Sequence, residues 1–279
     1  MTVVVNHEPP YSSIHSFSRA LGSSLDIPVI NSISKHYYLD GLKFPLRKLD
    51  GNVIMADPFV GIHGNKTITV YHDLGFYEWE PATRALLFSV VDKVVRSEKV
   101  FVSQHTREFY KKLRKSDGGT VIYPYVLPEI RSMNLDRSDF ILMDFAMSSG
   151  ARKNPQYHEK MVRDNPKQHF IKIGNGKFSC EYDNVEYKTK LSMDEVNYLY
   201  NKAKEVWWFT LDEGFGSPMA QAMMTKTPIR LLDTEINREI YGDLQDRDVD
   251  RKFERINGLV DPRKLTNQWK TLLEGLGWT

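Results

Sequence analysis

The architecture is most legible in the stretch VWWFTLDEGFGSPMAQAMMTKTPIRLL, residues 206–232. Its first part, Val206–Leu211, is apolar on both faces, as in a parallel strand covered by helices. A turn with two glycines follows, and Pro218 then suits the first turn of a helix through Ala220, Ala222 and Met223. Ile229–Leu232 is the next apolar run. Strand, glycine turn, helix, strand is the repeating unit of an α/β sheet with right-handed crossovers. Gly214 and Gly216 allow positive φ and let backbone approach a ligand closely. A helix N-terminus behind such a turn presents free N–H groups and a positive dipole end to a phosphate.

Outward from this stretch the same alternation covers the chain. Strands are expected at Thr2–Asn6, Pro28–Asn31, Asn52–Ala56, Thr67–Tyr71, Lys99–Val102 and Thr120–Tyr123. Further strands are expected at Phe140–Asp144 and His169–Ile173. A helix is expected after Pro81, with Leu86, Leu87, Val90, Val91, Val94 and Val95 forming one broad buried stripe. A second starts near Thr106 and turns Phe109, Tyr110 and Leu113 inward. Its outer face, Arg107, Lys111, Lys112, Arg114 and Lys115, reads as solvated charge, with attraction to an anionic membrane or acceptor as the sharper alternative. A third opens on Ser192 and Glu195, spaced as a capping box, with Val196, Leu199, Tyr200 and Ala203 as its apolar stripe. The Pro- and charge-rich break between Pro124 and Asp139 marks the domain boundary. We therefore expect an N-terminal domain over 1–133, a C-terminal domain over 134–262, and a last helix within 263–279 that packs back on the first domain.

Composition narrows the class. The chain has 279 residues, 41% hydrophobic and 27% charged, an ordinary globular balance with room for two cores. Lys and Arg number 38 against 36 Asp and Glu, so a dedicated nucleic-acid binder is not implied. The single cysteine, Cys180, excludes an intrachain disulfide and fits a reducing, cytoplasmic compartment. No apolar run approaches the roughly 20 residues that cross a bilayer, and the N-terminus lacks a signal-peptide layout.

In open α/β sheets ligands sit beyond the carboxyl ends of the strands. His72-Asp73-Leu74 follows one strand there, and Arg152-Lys153-Asn154 follows another. Gly174-Asn175-Gly176 follows a third, and Glu213-Gly214-Phe215-Gly216-Ser217 a fourth. Each segment alone is weak evidence, but one cleft would collect them all. Other features read as structural. Trp207-Trp208-Phe209 lies inside a buried strand and is expected to pack rather than stack on sugar. Met219, Met223 and Met224 are expected to fill core. His15, His63, His105 and His158 are expected at the surface by default. No His/Cys/Asp cluster suggests a metal site.

At these positions the sequence resembles a known family. Glu213-Gly-Phe-Gly-Ser-Pro, then Gln221-Ala-Met and Thr227-Pro228, is similar to the nucleotide-sugar signature of retaining GT-B glycosyltransferases of family four. These are the glycogen-synthase-like, mannosyltransferase-rich group, also called glycosyl transferases group 1. Thr69-Val-Tyr-His72-Asp-Leu, Val100-Phe-Val-Ser103-x-x-Thr106, Val121-Ile-Tyr-Pro, Arg152-Lys153-Asn154 and Ile171-Lys-Ile-Gly174-x-Gly resemble further family segments. They occur in the family's order over roughly residues 67 to 262.

The resemblance implies a compact GT-B fold, two Rossmann-like domains facing a cleft. The implied activity is metal-independent, retaining transfer of a hexose from a UDP- or GDP-sugar, with no cofactor beyond that co-substrate. It assigns the donor diphosphate to Arg152 and Lys153, where fixed cations stabilise a departing phosphate. It places Glu213 over the donor sugar and His72 opposite it from the first domain. Gly174, Gly214, Phe215, Gly216, Ser217 and Gln221 would hold the donor. The acceptor, whether glycan, lipid, protein or small molecule, is not readable, and a peripheral membrane contact stays open.

Three departures stand out. Gln221 replaces a second Glu and loses a charge-assisted bond to ribose hydroxyls. Tyr11–Ser16 stands where the family has an N-terminal glycine loop. Met147 stands near the usual arginine, with Arg152 as its substitute. Gln221 also keeps a second class open, a non-catalytic nucleotide-sugar-binding module.

Overall fold

The computed structural model describes residues 1–6, 13–31, 47–56, 62–74, 89–90, 92–116, 118–147 and 151–278. By contact the chain divides into two compact units. One comprises Met1–Tyr125 with Val260–Thr279, the other Val126–Leu259.

The first unit is built on six parallel strands: β1 (Thr2–Asn6), β2 (Val29–Asn31), β4 (Asn52–Met55), β6 (Lys66–Tyr71), β7 (Glu98–Phe101) and β8 (Thr120–Val121). Their order is β2-β1-β4-β6-β7-β8, and a two-stranded ribbon of β3 (Arg47–Lys48) and β5 (Ile62–His63) stands apart. Val3, Val5, Val53 and Met55 pack with Val95 as one core cluster. Helix α1 (Ser13–Leu25) packs on β1 and on the last helix, α8 (Pro262–Gly275).

Helix α2 (Gln104–Arg114) starts where Ser103 accepts a bond from Thr106 N at 3.1 Å. The Ser103-x-x-Thr106 segment is therefore an N-cap, which satisfies one of the free N–H groups of the first turn. Tyr110 is buried beside Tyr71 and Phe101, but Leu113 is exposed, a correction to the expected inward face. The cause is Asp92, which draws Tyr71, Tyr110 and Arg114 together and turns α2 on its axis. Tyr71 and Tyr110 hydroxyls donate to Asp92, and Arg114 Nε lies 3.1 Å from it.

The helix expected after Pro81 falls largely outside the described residues. Of its stripe, Val95 is buried while Val90 and Val94 are exposed, so the described part buries a narrower face than expected.

The second unit carries five parallel strands: β9 (Phe140–Asp144), β10 (His169–Ile173), β11 (Val185–Lys188), β12 (Glu205–Trp208) and β13 (Ile229–Leu231). Their order is β11-β10-β9-β12-β13. Chain order thus reverses between β9 and β12, a topological switch point. Trp207, Trp208 and Phe209 are buried, as expected of core. Helices α3 (Pro155–Asp164), α4 (Met193–Lys202) and α5 (Ser217–Met224) cover this sheet, followed by α6 (Glu235–Tyr241) and α7 (Val249–Val260). The Ser192–Glu195 capping box forms reciprocally, with Leu199, Tyr200 and Ala203 buried. Met219 and Met223 on α5 are buried as well.

Segment 130–133 is held to α4 by two buried asparagines. Asn197 Oδ1 accepts from Arg131 N at 3.0 Å and Asn201 Oδ1 from Met133 N at 2.8 Å. Arg137 reaches the carboxyl ends of α4 and α5 together. Its guanidinium donates to Ala203 O at 2.9 Å and to Lys226 O at 2.7 Å, the placement that favours a cation.

Candidate functional site

The candidate site lies in the second unit, at the carboxyl ends of β9 and β12. After β12 the chain runs through Phe209–Asp212 to Glu213, whose side chain is buried. Gly216 follows at φ +82 and caps α5, with Pro218 in the first turn. A Cβ on Gly216 would lie 2.6 Å from Trp208 Cη2, so glycine is required both for the dihedral and for the approach to the strand.

After β9 a 3-10 turn, Ala151–Lys153, presents the two cations. Lys153 Nζ donates to Glu213 Oε1, and Arg152 Nη1 lies 3.6 Å from Glu213 Oε2. Leu211 N donates to Arg152 O at 2.8 Å and ties the two loops together. Asn154 closes the turn in the left-handed region, and Pro155 starts α3.

The glycine turn after β10 packs on the same loop. Gly174 has φ +89, and a Cβ there would sit 2.7 Å from Phe145 O. Met147 N donates to Asn175 O at 2.9 Å. Gly214, Phe215 and Ser217 lie between Glu213 and α5. Gln221 lies one turn into α5, with its Oε1 buried and without a hydrogen-bond partner. The second unit thus brings together Arg152, Lys153, Glu213 and the glycine turn, with Gly214–Ser217 and Gln221 adjoining. His72 belongs to the first unit. It follows β6, and its ring meets Phe17 of α1 edge-on at 4.8 Å.

Three further residues lie beneath the site. Asp144 ends β9, accepts from Tyr200 Oη at 2.7 Å, and is held above the usual carboxylate range by burial against the pull of Tyr200, Lys153 and Lys172. Lys172 is a fully buried lysine inside β10. His158 is also fully buried, which corrects its expected surface position. Its Nδ1–H donates to Asn154 O at 3.1 Å, its Nε2 accepts from Phe209 N at 3.0 Å, and its ring stacks on Phe145 at 4.1 Å. Both nitrogens are engaged in the neutral form, and burial pushes the imidazole down to about 4. The one readable signal was Lys172, a lysine in an otherwise apolar strand. His158 has partners near 145 and 209 that local spacing does not show.

In the first unit, buried Asn6 donates to His15 Nδ1 at 3.0 Å and to Asn31 Oδ1 at 3.2 Å, all at the carboxyl edge of the sheet. Tyr11 and Ser12, part of the segment standing in for the family's glycine loop, lie outside the described residues. No three His, Cys, Asp or Glu side chains group to hold a metal among the described residues, and no helix there is long and apolar enough to cross a membrane.

No protein-family model matches the chain. One curated protein, the O-antigen chain mannosyltransferase RfbU of Salmonella typhimurium, is 34% identical over 58 residues. That match is 21% of this chain and 16% of RfbU. The fold is similar to sucrose-phosphate synthase from Thermosynechococcus elongatus, with TM-score 0.73, 13% identity, and 99% of this chain and 98% of that one covered. It is also similar to Anabaena HepE in complex with UDP and glucose, with TM-score 0.71, 10% identity, and coverage of 98% and 99%. With its two parallel α/β units, the chain has the GT-B fold and resembles the group 1 glycosyltransferases.

Proposed function

We propose that this chain is a glycosyltransferase that moves a hexose from a UDP- or GDP-sugar to a hydroxyl acceptor with retention of configuration. The observation that carries the reading is the convergence of Arg152 and Lys153 on Glu213 at the switch point between β9 and β12. Two cations at the carboxyl ends of parallel strands, beside a glycine-capped helix N-terminus, suit a diphosphate. The HepE complex with UDP and glucose and the mannosyltransferase match support the same donor class.

In this reading Arg152 and Lys153 hold the diphosphate and the N-terminus of α5 adds its dipole. Glu213 holds donor-sugar hydroxyls and stabilises positive charge at the anomeric carbon. The buried Gln221 Oε1 accepts from a ribose hydroxyl. The C1–O bond to the β-phosphate breaks, and its electron pair leaves with the nucleoside diphosphate. The acceptor oxygen bonds C1 on the same face, and its proton passes to the leaving phosphate oxygen. The cations supply the charge this step needs, so the reading uses no metal. The resemblance assigns the donor sugar to His72 as well, and a His72→Ala variant with intact nucleotide binding and reduced turnover would bear that out.

The test is titration of UDP and GDP against the wild type and Lys153→Ala. Loss of one charge-assisted bond should weaken the preferred nucleotide about 10- to 100-fold, and unchanged affinity would refute the site. A second reading, a nucleotide-sugar-binding module without turnover, rests on Gln221 in place of the second Glu. Tight binding with neither transfer nor donor hydrolysis would favour it.

A further inference from the structure

Lys172 takes no part in the proposed transfer step. It sits inside β10, next to Met143 of β9 in the strand register, and is fully buried. A methionine or leucine would fill this place without desolvating a charge. Among the described residues no carboxylate bonds its Nζ directly. It donates instead to Phe145 O at 2.9 Å and to Ile173 O and Gly174 O, each at 3.4 Å. It also lies 4.7 Å from the Phe145 ring centroid.

Those carbonyls are not arbitrary. Phe145 opens the loop that ends in Arg152 and Lys153, and Gly174 is the turn packed against it. One ammonium bonds both loops and ties them to each other.

We propose that Lys172 is a positioning residue of the donor site, whose ammonium binds the Phe145, Ile173 and Gly174 carbonyls and so sets the loop carrying Arg152 and Lys153 for a nucleoside diphosphate. The inference rests on the donor-site reading above. The titratable groups coupled to Lys172 are Asp144 from β9 and His158, held neutral, from α3; Lys153 from the 3-10 turn acts on the same two groups. Burial brings the Lys172 ammonium down to about 8, against the opposing pull of Asp144. Deprotonation removes the charge and one of three N–H donors, so the tie between the loops weakens. Nucleotide affinity should therefore depend on a proton that neither Arg152 nor the ligand supplies.

The experiment titrates UDP and GDP calorimetrically against the full chain from pH 6.5 to 9.5, for the wild type, Lys172→Met and Lys172→Arg. Taking ratios between proteins at each pH cancels titration of the nucleotide. At pH 7 Lys172→Met should bind about tenfold more weakly than the wild type, and the difference should narrow to about twofold by pH 9. Lys172→Arg keeps its charge throughout, so the wild type should lose about fivefold relative to it between pH 7 and 9. A merely structural lysine would shift stability and leave these ratios flat. Equal affinity of wild type and Lys172→Met at pH 7 overturns the proposal. If Lys172→Met does not fold, parallel pH profiles of wild type and Lys172→Arg overturn it. A wild type that binds UDP or GDP with flat ratios defeats this inference alone, whereas a wild type that binds neither defeats the donor-site reading with it.

Discussion

Lowering the pH should loosen the second unit through a single histidine. An unperturbed imidazole titrates near 6.5, and His158 is held at about 4 by burial. Between those values the unfolded chain takes up a proton that the folded chain refuses. Stability is therefore fully present above pH 6.5 and is lost as pH falls from 6.5 to 4. Each pKa unit is worth about 1.4 kcal/mol, so the full loss is about 3 kcal/mol, most of it gone by about pH 4.5.

His158→Phe separates this term from the rest. Phenylalanine keeps the stack on Phe145 but leaves Phe209 N–H without its acceptor, while Asn154 O keeps its bonds from Tyr157 N and His158 N. That should cost about 1–3 kcal/mol at pH 7. At pH 4.5 the wild type has lost most of its advantage, so the gap should shrink by about 2 kcal/mol or more. Urea unfolding followed by tryptophan fluorescence, with hydrogen exchange at the Phe209 amide as local probe, measures both. A wild-type-to-variant gap that stays constant from pH 7 to 4.5 would show that His158 does not carry the acid sensitivity.

Four further outcomes follow from the same contacts. Glu213→Gln removes the carboxylate that pairs with both cations, so UDP or GDP affinity should hold or rise while turnover falls at least about 100-fold; weakened nucleotide binding would contradict the assigned role. Gly216→Ala meets a positive φ and the Trp208 ring at once, and should cost about 2–4 kcal/mol in urea unfolding. Arg137→Ala strips the carboxyl ends of α4 and α5 of their shared donor and should lower stability by about 2–3 kcal/mol, read as a drop in melting temperature. Chelation of divalent metal with EDTA should leave donor turnover unchanged, and loss of activity restored by a divalent cation would overturn the metal-free reading.

Much of the sheet architecture is legible because its strands are buried on both faces. The runs Thr2–Asn6, Phe140–Asp144 and His169–Ile173 coincide with β1, β9 and β10. Strand β11, Val185–Lys188, gives no such signal, since it is an edge strand of alternating polarity that is only partly buried. The glycine turn and the cap at Ser103 are visible because each needs a particular residue for a local backbone reason. Helix faces are less legible. Leu113 and Val94 are apolar and lie on plausible stripes, yet the rotation of α2 is set by Asp92 meeting Tyr71 and Tyr110 across the fold. The site shows the same division. Arg152, Lys153 and Glu213 are read from strand ends, whereas Asp144, Lys172 and His158 act through partners distant in sequence and emerge only from the packed structure.

The proposed reaction is transfer of a sugar from a nucleoside diphosphate with retention. Proton NMR of the purified protein with α-linked UDP- and GDP-hexoses, with water as the default acceptor, tests it directly. The expected result is consumption of one donor, release of its nucleoside diphosphate, and an α-anomeric sugar signal that appears before the β form grows in by mutarotation. A β-anomer formed first would contradict retention, and no consumption of any donor despite nucleotide binding would contradict the transferase itself.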